Sequence, residues 1–234
     1  MLSLSPASEP IRAFIAVELP QNVKNELARV CEELSGAVRG ARWSKPQSTH
    51  LTLKFLGNTP EEKIPDIARA MQDAAAGTGP FALATHGLGV FPNPRKARVL
   101  WAGLSGDTQA CAALAQRIGR AMHTLGFEPE NKPFRAHLTL ARLRDPGPVP
   151  ARVLEYAPAR ISFPVQRVVL FQSTLAPGGA IYTPPGPHAP GLTARPLPPR
   201  SFPAILLIIG RPHKQWPKKK TISSANTTNL FPCW

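Results

Sequence analysis

The tetrapeptide His-Leu-Thr-Leu occurs twice in this chain, at residues 50–53 and 137–140. A strand-like segment and then a helix-like segment precede each copy at similar distances. Phe14 lies 36 residues before His50, and Leu100 lies 37 residues before His137. An internal repeat of this kind predicts two similar halves, each running strand, helix, strand.

Hydrophobic periodicity defines the elements of the first half. Residues 11–19 are apolar and partly β-branched, which predicts a strand. Apolar residues three and four apart across residues 23–38 predict an amphipathic helix. The sequence Thr-Pro-Glu-Glu at residues 59–62 has the form of a capping box and predicts the start of a second helix. A further strand is predicted over residues 81–90.

The second half repeats this order of elements. We predict a strand over residues 97–103 and a helix over residues 111–125, where apolar residues again recur three and four apart. Strands follow over residues 137–143 and 165–175, with a short one over residues 180–182. Every predicted element of the repeat therefore lies before residue 183.

These elements predict an α+β fold. We expect a bilobal duplicated architecture, with two antiparallel sheets facing each other across a central cleft and helices on the outside. Residues 1–182 are assigned to one domain with pseudo-symmetric halves of about 11–90 and 97–182. Face-to-face packing of the halves would bring the two tetrapeptides to a shared cleft.

Residues 183–234 differ in composition from the rest of the chain. They contain 11 prolines, seven Lys or Arg residues and no acidic residue. Proline fixes φ and removes a backbone donor, so we expect a disordered, proline-rich basic tail. This tail contributes half of the net charge of +14.

The remaining charge still leaves the first 182 residues basic. A cationic surface suits a polyanionic partner such as RNA, although many cytoplasmic proteins are mildly basic without binding one. The three cysteines are widely spaced and predict a reducing compartment. Residues 1–10 lack the charge and apolar stretch of a secretory signal, and the apolar run at 204–209 is too short to span a membrane. We therefore expect a cytoplasmic monomer without a membrane partner.

Each tetrapeptide places a histidine and a threonine on one face of a strand, because residues two apart project to the same side. His50 and Thr52 share one face, while Leu51, Leu53 and Phe55 are expected to point into the core. The second copy repeats this arrangement.

Two such pairs on opposite walls of a cleft suit hydrolysis of a phosphodiester. One imidazole can deprotonate the attacking water and the other can protonate the departing oxygen, since the pKa of histidine is about 6.5. Threonine hydroxyls can donate hydrogen bonds to the non-bridging oxygens, where negative charge develops. The residues alone therefore predict His50 and His137 as the acid–base pair, in either order, with Thr52 and Thr139 binding the phosphate.

Other candidates are less specific. The four remaining histidines share no metal-ligand spacing with one another or with carboxylates, so we expect no metal ion and no cofactor. Trp43 and Trp101 either stack on a base or pack in the core. Lys54 is expected on the face of His50, near the phosphate or in solvent.

With these motifs, the chain resembles the 2H phosphoesterase superfamily, whose members carry two His-x-Thr/Ser-x motifs in a bilobal fold. More narrowly, it resembles the RNA 2′,3′-cyclic phosphodiesterases, also called 2′-5′ RNA ligases (ThpR or LigT). The resemblance spans residues 11–182. The matching strings are IRAFIAVELP, ARW…HLTLKFLGNT, GLGVFPNPRKARVLWAGL, FRAHLTLAR and VVLFQSTLAPGGAIY.

The resemblance implies a role for each matched residue. His50 would be the proton donor to the leaving ribose oxygen, and His137 would be the base that activates water. Thr52, Thr139 and Arg142 would hold the phosphate. The implied substrates are RNA with 2′,3′-cyclic phosphate ends or cyclic nucleotides, and the implied product is a 2′-phosphate.

The chain departs from the family pattern at two places. Ala136 stands where the family usually has proline, and the match ends near Thr183. In addition, Arg142 lies five residues after His137, so simple alternation places it on the opposite face unless a β-bulge intervenes. The alternatives are tRNA 2′-5′ ligation, hydrolysis of ADP-ribose 1″,2″-cyclic phosphate, and a non-catalytic RNA-binding module.

Overall fold

The computed structural model describes residues 10–176, 179–183 and 206–208. Strands and helices alternate along these residues. Their bounds are β1 Ile11–Val17, α1 Gln21–Leu34, β2 Ala41–Trp43, β3 Leu51–Thr59, α2 Ile64–Ala76, β4 Ala82–Phe91, β5 Ala97–Gly106, α3 Thr108–Thr124, β6 His137–Gly147, α4 Ala151–Leu154, β7 Ser162–Pro164, β8 Arg167–Ala176, β9 Gly179–Thr183 and β10 Leu206–Ile208.

The strands form two five-stranded sheets. The first sheet has the order β10-β8-β1-β3, with β9 also paired to β8. The second sheet has the order β2-β6-β5-β4-β7. All pairs are antiparallel except β10 with β8. The predicted α+β fold with two antiparallel sheets is confirmed.

Each sequence half contributes a long strand to the sheet built mainly by the other half, and the short β2 of the first half also lies in the second sheet. The first half runs β1, α1, β3, α2, β4, yet β4 pairs with β5 in the second sheet. The second half runs β5, α3, β6, α4, β8, and β8 pairs with β1 in the first sheet. Each sheet is therefore completed by a strand from the other half.

The predicted tail falls largely outside the described residues, and its disorder stays a prediction. Residues 206–208 are described, and they pair in parallel with the start of β8. Residues 1–9 also lie outside the described part. None of the described helices has the length and apolar content needed to cross a membrane.

The predicted helical periodicity is confirmed by burial. On α1, Val23, Leu27 and Val30 are completely buried, and on α2 Ile67 and Met71 are equally buried. Helices α2 and α3 pack against each other, and α3 also contacts β3. Because burying one such side chain contributes roughly 1.5–3 kcal/mol, these stripes anchor the helices to the sheets.

The predicted capping box is wrong. Thr59 is the last residue of β3, where it pairs with Ile11, and its hydroxyl donates to the Gly57 carbonyl at 3.2 Å. The following helix begins through a 3₁₀ turn, Glu61–Lys63, without a side-chain cap. The strand ladder continues further than the sequence pattern indicated, and it holds the threonine in an extended, buried position.

A β-bulge follows the His-Leu-Thr sequence in both halves. Thr52 and Lys54 of β3 pair with consecutive residues of β1, so Leu53 is the extra residue. Thr139 and Ala141 of β6 likewise pair with consecutive residues of β5. Since a bulge inserts one unpaired residue, the alternation of side chains reverses after it.

This reversal corrects two predictions in the first half. Phe55 was expected in the core, but 58% of it is exposed. Lys54 was expected near phosphate or solvent, but only 3% of it is exposed. Its Nζ donates to the Glu128 carbonyl and lies 3.2 Å from a Glu130 carboxylate oxygen.

Candidate active site

His50 lies against two aromatic rings from neighbouring strands. Its ring stacks on Phe14 of β1, with centroids 4.5 Å apart, and faces Phe171 of β8 at 5.9 Å. Its Nδ1 lies 2.9 Å from the carbonyl oxygen of Ser48, two residues earlier. These contacts fix both the position and the rotation of the imidazole.

His137 is held in the same way in the second sheet. Its ring meets Phe91 of β4 edge-on, with centroids 5.1 Å apart, and Trp101 of β5 at 6.2 Å. Its Nδ1 lies 2.7 Å from the carbonyl oxygen of Arg135, again two residues earlier. Each histidine is therefore held by the same kind of contacts, namely one backbone carbonyl at Nδ1 and two aromatic rings.

The aromatic contacts reflect both the duplication and the strand exchange. Phe14 and Trp101 each lie 36 residues before their histidine. Phe171 and Phe91 come from the exchanged strands β8 and β4. Each imidazole thus rests between a ring of its own half and a ring of the other half.

Gly89 makes room for the ring of Trp101, which contacts His137. The ring of Trp101 lies so close to Gly89 of β4 that a Cβ added there would overlap the indole. Any larger residue at this position would have to displace a ring that contacts His137. The glycine in the string GLGVF is therefore part of the histidine's support.

The hydrogen bonds to the histidines select their tautomer. A carbonyl oxygen only accepts, so Nδ1 carries the proton in both neutral rings and Nε2 carries the lone pair. In this arrangement Nε2 is the atom at each site that can take up or release a proton. A general acid or base needs one nitrogen that exchanges a proton while the other is anchored.

Burial and positive charge favour the neutral form of both rings. Burial lowers the pKa of His50 to about 4, and the charges of Arg142 and Lys24 act in the same direction against the Ser48 carbonyl. Burial likewise lowers the pKa of His137, helped by Arg142 and Arg135. Both histidines are therefore neutral near pH 7 when the cleft holds no anion.

Arg142 interacts electrostatically with both histidines. Its charge acts on each imidazole, and the strands β3 and β6 that carry the two motifs contact each other. The bulge in β6 turns Arg142 to the face of His137, which resolves the conflict with simple alternation. The structure thus places the charge of the predicted arginine within reach of both predicted histidines.

The two threonines lie on the histidine faces of their strands. Thr52 and Thr139 are half-buried, and neither hydroxyl makes a hydrogen bond to another residue in the described part of the chain. The imidazoles are held by backbone carbonyls instead. Both hydroxyls therefore remain available to a ligand in the cleft, and their role as phosphate ligands stays a prediction.

Sequence reasoning missed two further cations in this cleft. Arg135 lies two residues before His137, and its guanidinium covers the rings of Trp101 and Phe91 at 5.1 and 5.9 Å. Arg42 of β2 pairs directly with Arg142 of β6 and is exposed on the same face. The period-two spacing from His137 was the signal that could have identified Arg135.

Phe55 occupies the position in the first half that Arg142 occupies in the second, five residues after the histidine. Its ring lies 6.1 Å from that of Phe14, which stacks on His50. The equivalent bulges therefore present an exposed aromatic ring on one wall and a cation on the other. Trp101 belongs to the site as well, while Trp43 packs against the core.

Metal ligands do not cluster in the part of the chain that the structure describes: no group of three or more His, Cys, Asp or Glu residues is placed to hold an ion. The described cysteines, Cys31 and Cys111, are both free. Burial raises the pKa of each thiol. Neither cysteine is therefore a ready nucleophile.

Comparison with known proteins identifies a family and relatives that this chain is similar to. The family model described as LigT-like phosphoesterase matches residues 17–101 and 104–182. An RNA 2′,3′-cyclic phosphodiesterase of Methanothermobacter thermautotrophicus is 32% identical over 177 residues, which cover 74% of this chain and 95% of that protein.

Solved structures give the same result. A crystal structure of a Thermus thermophilus protein superimposes with a TM-score of 0.62 at 32% identity, covering 74% of this chain and 94% of that one. The apo form of Escherichia coli LigT superimposes with a TM-score of 0.58 at 26% identity, covering 75% and 95%. The part matched by the family model includes both His-Leu-Thr-Leu segments and ends where the proline-rich sequence begins.

Proposed function

The chain belongs to the LigT-like phosphoesterase family, and from this premise we propose that it is an RNA 2′,3′-cyclic phosphodiesterase that opens cyclic phosphate ends to 2′-phosphates. One observation carries the proposal. Two imidazoles are each anchored at Nδ1 by a backbone carbonyl, and the charge of one arginine, Arg142, reaches both.

The proposed reaction uses one histidine on each side of the phosphorus atom. Nε2 of His137 takes a proton from water as the water oxygen bonds to phosphorus. The bond from phosphorus to the ribose 3′ oxygen breaks, and Nε2 of His50 delivers a proton to that oxygen. In-line displacement requires these two groups on opposite sides, and each typically contributes about 10²- to 10⁴-fold in rate.

His50 must carry a proton to act as the acid, although its pKa is about 4 in the unliganded protein. A bound cyclic phosphate adds a negative charge beside the ring, which raises the pKa of His50 and His137. Substrate binding therefore favours uptake of a proton from solvent by the histidine that acts as the acid. The pKa of both histidines is lowered in the same direction, so the pKa values do not decide which histidine is the acid and which is the base. The assignment therefore follows the family resemblance.

The remaining residues of the cleft act on the phosphate and the base. In the proposed mechanism Arg142 neutralises the charge that develops on the non-bridging oxygens, and Thr52 and Thr139 donate hydrogen bonds to them. The exposed ring of Phe55 offers a stacking surface for a nucleobase, a contact that tolerates any base.

The experiment is hydrolysis of an RNA oligonucleotide with a 2′,3′-cyclic end in the presence of EDTA, with identification of the product. We expect a 2′-phosphate, and we expect His50→Ala and His137→Ala each to reduce the rate at least about 10²-fold. Arg120→Gln, on the exposed face of α3, is the matched control and should behave as the wild type. Full activity in either histidine variant would sink the two-histidine mechanism, and a 3′-phosphate product would reverse the proposed bond cleavage.

A further inference from the structure

We propose that Arg135 binds the phosphate of the nucleotide that precedes the cyclic end, which makes oligonucleotide ends, rather than free cyclic mononucleotides, the preferred substrates. The inference rests on the proposed function and deepens it, because it names the substrate class of the same cleft.

The first support is the way Arg135 is held. Its guanidinium lies 5.1 Å from the ring centroid of Trp101 and 5.9 Å from that of Phe91, while its side chain remains exposed. A guanidinium that stacks on aromatic rings keeps its edge and its N–H groups free for a phosphate. The carbonyl of the same residue positions His137, so this cation is fixed next to the reacting group.

The second support is the number of positive charges around the two histidines. Lys24, Arg42, Arg135 and Arg142 form what we term the basic cluster, and none of them makes a salt bridge to a described residue. A terminal cyclic phosphate carries one negative charge. Further phosphates of an oligonucleotide would supply the charges that a mononucleotide lacks.

The third support is an unfavourable pairing within the basic cluster. Arg42 and Arg142 are directly opposite each other in the β2–β6 ladder. Like charges at such positions repel each other and destabilise the sheet. An anion of more than one charge bound along this face would relieve the repulsion, which is the behaviour expected of a nucleic-acid contact surface.

Arg142 and Arg135 are proposed to bind different phosphates because they lie at different positions relative to the two histidines. The charge of Arg142 acts on both His50 and His137, and the proposed function assigns it to the reacting phosphate. The guanidinium of Arg135 lies over Trp101 and Phe91, the two rings that contact His137, so Arg135 lies on the His137 side of the site. It is therefore placed for a neighbouring phosphate.

The test compares adenosine 2′,3′-cyclic phosphate with a triadenylate that ends in a 2′,3′-cyclic phosphate. For the wild type we expect the higher kcat/KM with the triadenylate. Arg135→Gln should lower the triadenylate-to-mononucleotide ratio of kcat/KM about 10- to 100-fold, the size expected for one charge-assisted hydrogen bond. The salt dependence of log kcat/KM for the triadenylate should weaken by about 0.7, because one phosphate contact is lost.

Two further variants sharpen the result. Arg135→Lys keeps the charge but not the planar stack on Trp101, and it should restore part of the ratio. Arg120→Gln removes a cation from the outer helix α3 and should leave the ratio unchanged. The carbonyl that anchors His137 belongs to the backbone, so it is retained in every variant. Equal losses with both substrates in Arg135→Gln would overturn the inference.

Binding measurements separate this inference from the proposed function. If the wild type hydrolysed neither substrate, the proposed function would fall. Calorimetric titration with adenosine 2′-phosphate and with a triadenylate ending in a 2′-phosphate would still decide the inference. Tighter binding of the triadenylate that is lost in Arg135→Gln supports it, and equal affinities for the two ligands overturn it.

Discussion

The low pKa of His50 has a consequence for folding that does not depend on catalysis. Its pKa is about 4 in the folded protein, against an ordinary value of 6.5. Between about pH 4 and pH 6.5 this histidine is protonated in the unfolded chain but neutral in the folded chain. Its contribution to the free energy of unfolding is therefore present above pH 6.5 and falls as the pH is lowered. One pKa unit corresponds to about 1.36 kcal/mol, so lowering the pH from 7 to 5 costs about 2 kcal/mol at this residue.

The perturbation is His50→Phe, which keeps an aromatic ring against Phe14 and removes the titrating group. Urea unfolding followed by circular dichroism gives the free energy of unfolding at pH 7 and pH 5 for each protein. The wild type should lose about 2 kcal/mol more than the variant between the two values. Carboxylates and other histidines titrate in both proteins, so their contributions cancel in this difference.

Two controls isolate the cause. Thr52→Val changes the same face of the strand without removing a titrating group, and its loss should match that of the wild type. Lys24→Gln removes one of the charges that lower the pKa of His50, so its loss should be smaller than that of the wild type. Equal losses in the wild type and in His50→Phe would show that the imidazole is not buried as the structure places it.

Three further predictions concern the cleft. The profile of kcat/KM against pH, which reports the free enzyme, should reach its maximum below pH 6.5, because both histidines have lowered pKa values; a maximum above pH 8 would contradict this. Arg142→Gln should reduce kcat/KM about 10²- to 10³-fold through kcat, with partial recovery in Arg142→Lys, and a loss confined to KM would show that the arginine binds substrate and transition state equally. Gly89→Ala should lower the free energy of unfolding by about 1–3 kcal/mol because the ring of Trp101 must move, whereas Gly36→Ala, whose added methyl meets nothing, serves as the neutral comparison; equal stabilities would refute the close approach.

The sequence predicted those parts of the site that depend on period alone. His50 and Thr52 share a face because they are two residues apart in a strand, and the same holds for His137 and Thr139. The buried stripes of the helices follow from spacings of three and four residues in the same manner. These features need no knowledge of which strand lies beside which.

The features that sequence reasoning missed depend on pairing between distant segments. The bulges at Leu53 and Leu140 exist only relative to β1 and β5, so the exposure of Phe55 and the burial of Lys54 could not be obtained from alternation. The stack of Arg135 on Trp101 likewise depends on the packing of β5 against β6. Both effects are tertiary, and they override the local pattern.

The exchange of β4 and β8 bears on how such a chain could have arisen. A polypeptide of half this length, running strand, helix, strand, helix, strand, would leave its first strand without the neighbour that completes the sheet. It could build both sheets only as a dimer of two copies that traded their last strands. Joining the copies into one chain replaces that bimolecular encounter with an intramolecular one, and afterwards the two copies are free to diverge. The different residues that now follow the two motifs, an aromatic ring in one and a cation in the other, are the kind of asymmetry that a symmetric dimer could not have held.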